Sequence, residues 1–144
     1  MQVEPYLMFN GRCEEAVDFY GVVLGAEVEM LLRFRESPDE PPPGIMPADW
    51  HDKIMHCALR IGSTRVMASD GCASDDAGFK GVCLTASVAT EQEADRVFAA
   101  LSEGGHVTMP LGKTFFSPRF GMLTDRFGLG WMVIVETKDA ALAA

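Results

Sequence analysis

The apolar positions of two segments follow the same helical pattern. In each segment four apolar residues recur at i, i+3, i+4 and i+7, the spacing by which a helix buries one face. The two sets, 78 positions apart, are Ala16, Phe19, Tyr20 and Val23, and Ala94, Val97, Phe98 and Leu101. The repeat predicts two related helices in one chain.

The same shift aligns two strand-like segments that precede these helices. It places residues 3–9 on residues 81–87, and several strand patterns follow each helix. A repeated supersecondary unit of this kind predicts a duplicated module. Two related sheets that face each other enclose a cleft, and we expect this cleft to bind a ligand.

The first module is predicted as a strand, a helix and three further strands. Asn10 is placed to cap the helix, and Gly25 is suited to the left-handed conformation after its end. The predicted helix covers residues 13–24, and the predicted strands cover residues 3–9, 26–34, 54–61 and 64–69. The proline-rich segment 37–44 predicts a surface loop, with a mobile lid as the alternative.

The second module repeats this order after a small, polar linker at residues 70–78. Thr90 and Glu93 form a capping box, which predicts the start of a helix that ends before Gly104. The predicted strands that follow cover residues 106–111, 119–124 and 130–136, with a turn at 125–128 and a frayed tail at 138–144. We expect one domain over residues 1–144, with module one at about 1–70 and module two at about 79–137.

Composition and charge exclude several classes of protein. The chain has 144 residues, 48% of them hydrophobic, and a net charge of -9, which disfavours nucleic acid as a partner. Its apolar runs are shorter than the ~20 residues of a membrane span, and its start carries an acid where a signal peptide is basic. We therefore expect a cytoplasmic protein. The four scattered cysteines predict buried thiols rather than disulfides or zinc ligands.

The duplicated module and several of its segments resemble a known superfamily. The first helix with its flanks, GRCEEAVDFYGVVLG, and the D-x-x-G turn before the last strand resemble the vicinal oxygen chelate superfamily, which includes glyoxalase I, extradiol dioxygenases and antibiotic resistance proteins. The segments that resemble its PhnB-like branch are residues 48–56, 66–70, 114–116, 120–128 and 131–133. The resemblance implies an α+β, glyoxalase-like fold of two tandem βαβββ modules, with curved mixed sheets enclosing a cleft, and a homodimer.

Metal enzymes of this superfamily hold a divalent ion between the first and last strands of the two modules. An approximate alignment places Pro5, Met67, Cys83 and Met132 at the ligand positions. Proline has no side-chain donor, and thioethers suit soft rather than hard ions. We therefore expect no metal or other cofactor, with a divalent metal held by unusual residues such as His56 and Asp70 as the alternative.

Without the metal ligands, the cleft is expected to bind a small apolar or aromatic molecule. We expect Leu7, Phe9, Met67 and Met132 to line it. Aromatic residues are candidates to stack on the ligand, and a guanidinium beside them can hold a carboxylate or phosphate. The candidates of these two kinds are Trp50, Phe116, Phe120 and Arg119. The alternative for Arg119 is an ordinary solvent-facing arginine.

His56 and Asp70 are the candidate catalytic residues. Histidine exchanges protons near neutral pH, and a carboxylate at Asp70 can accept a proton, bind a substrate hydroxyl or orient His56. Each residue also has a structural interpretation: a hydrogen-bonded strand histidine for His56, and a turn carboxylate that bonds its own backbone for Asp70.

The sequence therefore predicts a small-molecule-binding protein of the PhnB-like branch, with its reaction unassigned. The alternatives are a metal-dependent lyase, isomerase or dioxygenase, and a resistance protein that sequesters a toxic compound without turnover. Members of the branch are often labelled demethylubiquinone methyltransferases. We do not adopt that activity, because the sequence has no glycine-rich strand-to-helix turn for a methyl donor.

Overall fold

In the computed structural model, the residues described are 1–39, 46–71, 73–74 and 78–137. The chain divides into two compact units, with the boundary between Gly78 and Phe79. Three predicted segments lie partly or wholly outside the described residues: the proline-rich loop at 40–45, the linker at 72 and 75–77, and the tail at 138–144. No helix in the described ranges is long and apolar enough to cross a membrane.

Unit 1 contains one α-helix and one four-stranded mixed sheet. Its elements are β1 (Tyr6–Met8), α1 (Cys13–Leu24), β2 (Glu27–Arg33), β3 (Ile54–Ile61) and β4 (Thr64–Ser69). Two short 3₁₀ turns, Phe34–Glu36 and Ala48–Trp50, lie between β2 and β3. The strand order is β1-β4-β3-β2, and β1 pairs with β4 in parallel while the other pairs are antiparallel.

Unit 2 has the same connectivity. Its elements are β5 (Cys83–Val88), α2 (Glu91–Ser102), β6 (His106–Gly112), β7 (Phe120–Thr124) and β8 (Gly130–Val135). The strand order is β5-β8-β7-β6, again with one parallel pair at the first strand. The prediction of two tandem βαβββ modules is therefore confirmed.

Each unit buries its core between the helix and one face of the sheet. In α1 the buried positions follow the predicted stripe, except that Phe19 is only half-buried. In α2 the whole predicted stripe is buried. The sheet residues buried on the helix-facing side include Leu7, Cys57, Leu59 and Ala68 in unit 1, and Leu123, Trp131, Val133 and Val135 in unit 2.

The 78-residue shift holds for the helices but not for the first strands. It would place Thr85 at the position of Leu7, yet Leu7 is buried and Thr85 is exposed. Successive strand side chains point to opposite faces, so a difference of one residue exchanges the two faces. Strand β1 is also shorter than predicted, although backbone bonds at Pro5 and Phe9 extend its pairing with β4 by one residue at each end.

The two helices begin differently. In α2 the Thr90 half of the predicted capping box is confirmed, since the Thr90 side chain accepts a hydrogen bond from the backbone N–H of Glu93. The prediction that Asn10 caps α1 is wrong. Asn10 takes a positive φ of 49° and exchanges two hydrogen bonds with the backbone of Ser74. A distant carboxylate, that of Asp70, receives the N–H groups at the start of α1 instead.

Candidate functional site

The candidate site lies on the face of the first sheet that is turned away from α1, which we call the distal face. Cys57 Sγ lies 3.9 Å from Cys13 Sγ at the start of α1, so Cys57 points toward the helix. Its neighbours His56 and Ala58 therefore point to the distal face. Lateral pairing adds side chains from the other strands to this face, namely Tyr6, Met30, Leu32 and Met67.

Tyr6 and His56 form the central polar contact of the distal face. The Tyr6 hydroxyl lies 2.9 Å from His56 Nδ1, and the two ring centroids are 5.5 Å apart. Partial burial raises the pKa of the Tyr6 phenol, and the neighbouring Ser69 hydroxyl lowers it by less. The phenol therefore keeps its proton at neutral pH.

The sequence prediction did not include Tyr6, because it assigned Leu7 and Phe9 to the cleft. A strand alternates its faces, so the residues on either side of Leu7, namely Tyr6 and Met8, had to lie on the other face. That alternation was the available signal. The strand register also corrects the approximate alignment: Tyr6, rather than Pro5, is the residue that pairs with Met67 across the two strands.

His56 is half-buried and offers one ring nitrogen to a ligand. Within the described part of the chain, its only hydrogen bond is the one between Nδ1 and Tyr6. The other ring nitrogen, Nε2, is thus available as a donor or an acceptor. His51 and His106 are both exposed. His56 is therefore the histidine placed in a structured, partly apolar surface.

Asp70 has a structural role. It is buried, and its Oδ1 accepts the backbone N–H groups of Gly11 and Cys13 at 2.7 and 2.8 Å. Its Oδ2 accepts the N–H of Ile54 at 2.8 Å. His56 hydrogen-bonds Tyr6 rather than Asp70, so Asp70 does not orient the imidazole directly.

Trp50 belongs to the core of unit 1. Its indole N–H donates to the Gly71 carbonyl at 2.8 Å, and its ring packs so closely on Gly11 that a Cβ there would lie 3.1 Å from it. Lys53 Nζ also donates to the Gly11 carbonyl at 2.8 Å. These contacts fix the turn before α1 against the end of β4.

Leu7, Phe9 and Met67 do not share one surface. Leu7 and Phe9 are buried, and the Phe9 ring contacts Tyr20 of α1 at a centroid distance of 6.2 Å. Met67 lies on the distal face beside Tyr6. Leu7 and Phe9 therefore belong to the core, whereas Met67 lies on the opposite face of the sheet.

In unit 2, Phe116, Phe120 and Met132 gather on the face of the sheet opposite α2. The rings of Phe116 and Phe120 meet edge to face, with centroids 5.0 Å apart. Phe120 alternates with Gly121, which packs against Phe98 of α2, so the Phe120 ring points away from that helix. Met132 lies on the same side, paired with Thr85 and Met122.

Arg119 faces α2 rather than an open surface. Its Nε lies 3.1 Å from Asp95 Oδ1 and 3.9 Å from Glu91 Oε1. Its terminal nitrogen also donates to Asp95 Oδ2 at 3.2 Å. With two carboxylates around it, the guanidinium charge is already paired, which disfavours the predicted role in binding an anionic ligand.

These units together define a class of protein. Two βαβββ units of identical connectivity are typical of the glyoxalase-like fold. The same fold is found in the fosfomycin resistance protein FosX from Listeria monocytogenes, solved with Mn(II) and sulfate, with a TM-score of 0.65, 10% identity and coverage of 99% of this chain and 95% of that chain. At this identity the likeness shows the fold alone.

The family follows from the sequence match. Residues 1–134 match the family model described as 3-demethylubiquinone-9 3-methyltransferase, so the chain belongs to this PhnB-like family. It is 33% identical to Protein YjdN of Escherichia coli (strain K12), over 96% of this chain and 98% of YjdN.

Two solved structures are similar over nearly the full length. Protein PA1353 from Pseudomonas aeruginosa has a TM-score of 0.83 and 49% identity, with 94% of this chain and 98% of that chain covered. The PhnB protein from Bacillus cereus has a TM-score of 0.78 and 27% identity, with 94% and 99% covered.

The residues described do not fit the divalent ion that the superfamily implies. Among them, no three His, Cys, Asp or Glu side chains converge closely enough to hold a metal ion. The distal face combines one imidazole and one phenol with the thioethers of Met30 and Met67. Hard divalent ions prefer several oxygen or nitrogen donors at one point.

Proposed function

We propose that this protein binds a small apolar or aromatic molecule on the distal face of its first sheet. The observation that carries the proposal is the Tyr6–His56 hydrogen bond, which lies on a surface that also contains Met30, Leu32 and Met67. Binding sites for small molecules combine a mainly apolar lining with a few oriented polar groups, and this surface has that composition.

In this proposal His56 makes the polar contact with the ligand without the help of a metal. A ring nitrogen that can donate or accept a hydrogen bond also suits proton exchange with a bound substrate. The aromatic and thioether surface of unit 2, formed by Phe116, Phe120 and Met132, is proposed as a second ligand-contacting surface. Whether binding leads to turnover is decided by whether the ligand is recovered unchanged.

Binding is tested by NMR with methyl-labelled methionine. The probes are naphthalene, 2-naphthol and 2-acetonaphthone, which share a flat apolar ring system and differ in their polar group. We expect saturable shifts of the Met30 and Met67 methyl signals, and weaker binding of the two oxygen-containing probes to His56→Gln. The matched control is His106→Gln, since His106 is exposed on β6. Absence of saturable shifts with all three probes overturns the proposal.

The metal-dependent alternative needs its own measurement. Elemental analysis of the purified protein, followed by titration with Mn²⁺ and Zn²⁺, is expected to show no stoichiometric ion. A stoichiometric ion whose removal by a chelator abolishes probe binding contradicts metal-free binding and favours a metal-dependent lyase, isomerase or dioxygenase.

The methyltransferase activity in the family's description is not part of the proposal, since the sequence offers no recognisable methyl-donor loop. We do propose a homodimer and a cytoplasmic location, as the resemblance and the composition led us to expect. Sedimentation equilibrium at micromolar concentration tests the dimer, and cell fractionation tests the location.

A further inference from the structure

We propose that Tyr6 is a positioning residue that fixes His56 in the tautomer with its proton on Nε2, so that the site prefers ligands carrying a carbonyl oxygen. This inference rests on the proposed function, because it names the class of ligand that the distal face takes. Its first step, the tautomer of His56, can be measured without any ligand.

The direction of the Tyr6–His56 hydrogen bond follows from the groups around the phenol. The Ser69 hydroxyl accepts the Gly71 N–H at 2.8 Å, and its hydrogen bond to Tyr6 lowers the pKa of the phenol, which is the effect of a hydroxyl that donates to the phenol oxygen. With Ser69 as a donor to the phenol oxygen, the phenol's own proton is left for His56 Nδ1, which lies 2.9 Å away. The phenol proton is therefore donated to Nδ1.

A neutral imidazole carries one N–H and one lone pair. Since Nδ1 uses its lone pair to accept the Tyr6 proton, the imidazole proton must sit on Nε2. Nε2 makes no hydrogen bond to any described residue. The distal face thus presents a single, oriented N–H donor, and a bound molecule satisfies it best with an acceptor oxygen.

The charged side chains on the same face indicate which kind of acceptor oxygen a ligand should carry. The cations at its far end are already paired: Arg60 lies 2.9 Å from Glu29, and Arg65 lies 3.5 Å from Glu29 and 3.6 Å from Glu4. The chain has a net charge of -9. Both features disfavour a carboxylate or phosphate ligand, so a neutral carbonyl is the acceptor that fits.

The tautomer is tested by long-range ¹H–¹⁵N correlation of histidine-labelled protein at pH 8. The protein has three histidines, and the exposed His51 and His106 serve as internal references. We expect the His56 signals to show protonated Nε2 and unprotonated Nδ1, and to move toward those of the two references in Tyr6→Phe. Met8→Leu, on the same strand and face, is the matched control. A mixed or Nδ1-protonated pattern in the wild-type protein overturns the inference.

Ligand preference is tested with an isosteric pair, 2-acetonaphthone and 2-isopropenylnaphthalene, which differ in a C=O against a C=CH₂ group. We expect the ketone to bind about three- to tenfold more tightly to the wild-type protein, and this ratio to approach one in Tyr6→Phe and His56→Gln. Equal affinity of both probes for the wild-type protein contradicts the inference while leaving small-molecule binding intact. If neither probe binds, both the preference for carbonyl ligands and the proposed small-molecule binding are contradicted. The tautomer of His56 then still decides whether Tyr6 positions the imidazole.

Discussion

The Asp70 carboxylate accepts the backbone N–H of Cys13 at 2.8 Å, so the residue after β4 caps the helix that begins 57 positions earlier in the chain. Two further backbone N–H groups, those of Gly11 and Ile54, donate hydrogen bonds to the same carboxylate. One side chain therefore ties together the turn before α1, the helix itself and the start of β3.

Replacing Asp70 tests this structural role. Asp70→Asn keeps the size of the side chain but exchanges one acceptor oxygen for an NH₂ group, which leaves at least one buried N–H without a partner. We expect the free energy of unfolding in urea to fall by about 2–3 kcal/mol. The control Asp18→Asn makes the same change at an exposed position of α1 and should cost much less. Equal effects of the two substitutions contradict the role assigned to Asp70.

Gly121 is expected to tolerate no side chain. A Cβ at this position would lie 2.6 Å from the Phe98 ring and 2.9 Å from the Leu111 backbone. Gly121→Ala should destabilise the protein by about 1–3 kcal/mol, because the packed helix α2 has to shift. At Gly112 a Cβ would meet nothing within 4 Å, so Gly112→Ala is the matched control for the urea measurement. Gly121→Ala with wild-type stability would show that α2 packs less closely on β7 than described.

Arg119 is expected to contribute little to ligand binding. Because its guanidinium is paired with Asp95 and Glu91 on the surface of α2, Arg119→Gln should cost only about 0–1 kcal/mol of stability. Its effect on the affinity for 2-naphthoate, an anionic aromatic probe, should match that of Arg12→Gln, a surface arginine paired with Glu15. A selective loss of naphthoate binding in Arg119→Gln would restore Arg119 as an anion-binding residue.

Alkaline pH is expected to weaken the folded state partly through Tyr6. Partial burial raises the pKa of its phenol above the ordinary value of 10.0, so the folded protein keeps a proton that the unfolded chain releases. This contribution to stability is complete below about pH 10 and is lost as the pH rises through the higher folded pKa.

Tyr6→Phe should therefore flatten the decline of the unfolding free energy between about pH 9 and about pH 11. Urea unfolding across this range measures the slope, and Met8→Leu should keep the wild-type slope. An unchanged slope in Tyr6→Phe would mean that the phenol ionises equally in both states.

The fold was predictable because its elements are encoded locally. The bounds of α1, β3 and β4 agree with the predicted ones, since apolar spacing and a glycine at the helix end mark them directly. Gly25 takes the expected left-handed conformation, with φ of 68°. The connectivity then followed from the repetition of the pattern.

The site was predictable only in part. His56 was predictable because histidine is recognisable in any sequence as a residue type that can exchange protons, whereas the position of Tyr6 depends on which face of a three-residue strand points to the core. The partners of Asp70 and Arg119 lie far along the chain, at separations of 57 and 24 residues. Such pairings are set by tertiary packing, which local patterns do not specify.

The two halves of the chain have kept one architecture while their surfaces have diverged. Thr85 stands opposite Met132 in unit 2 as Tyr6 stands opposite Met67 in unit 1. A duplicated unit allows such divergence, because one copy can preserve a reactive group while the other accumulates changes. A chimera of two first halves would carry this phenol–imidazole pair twice.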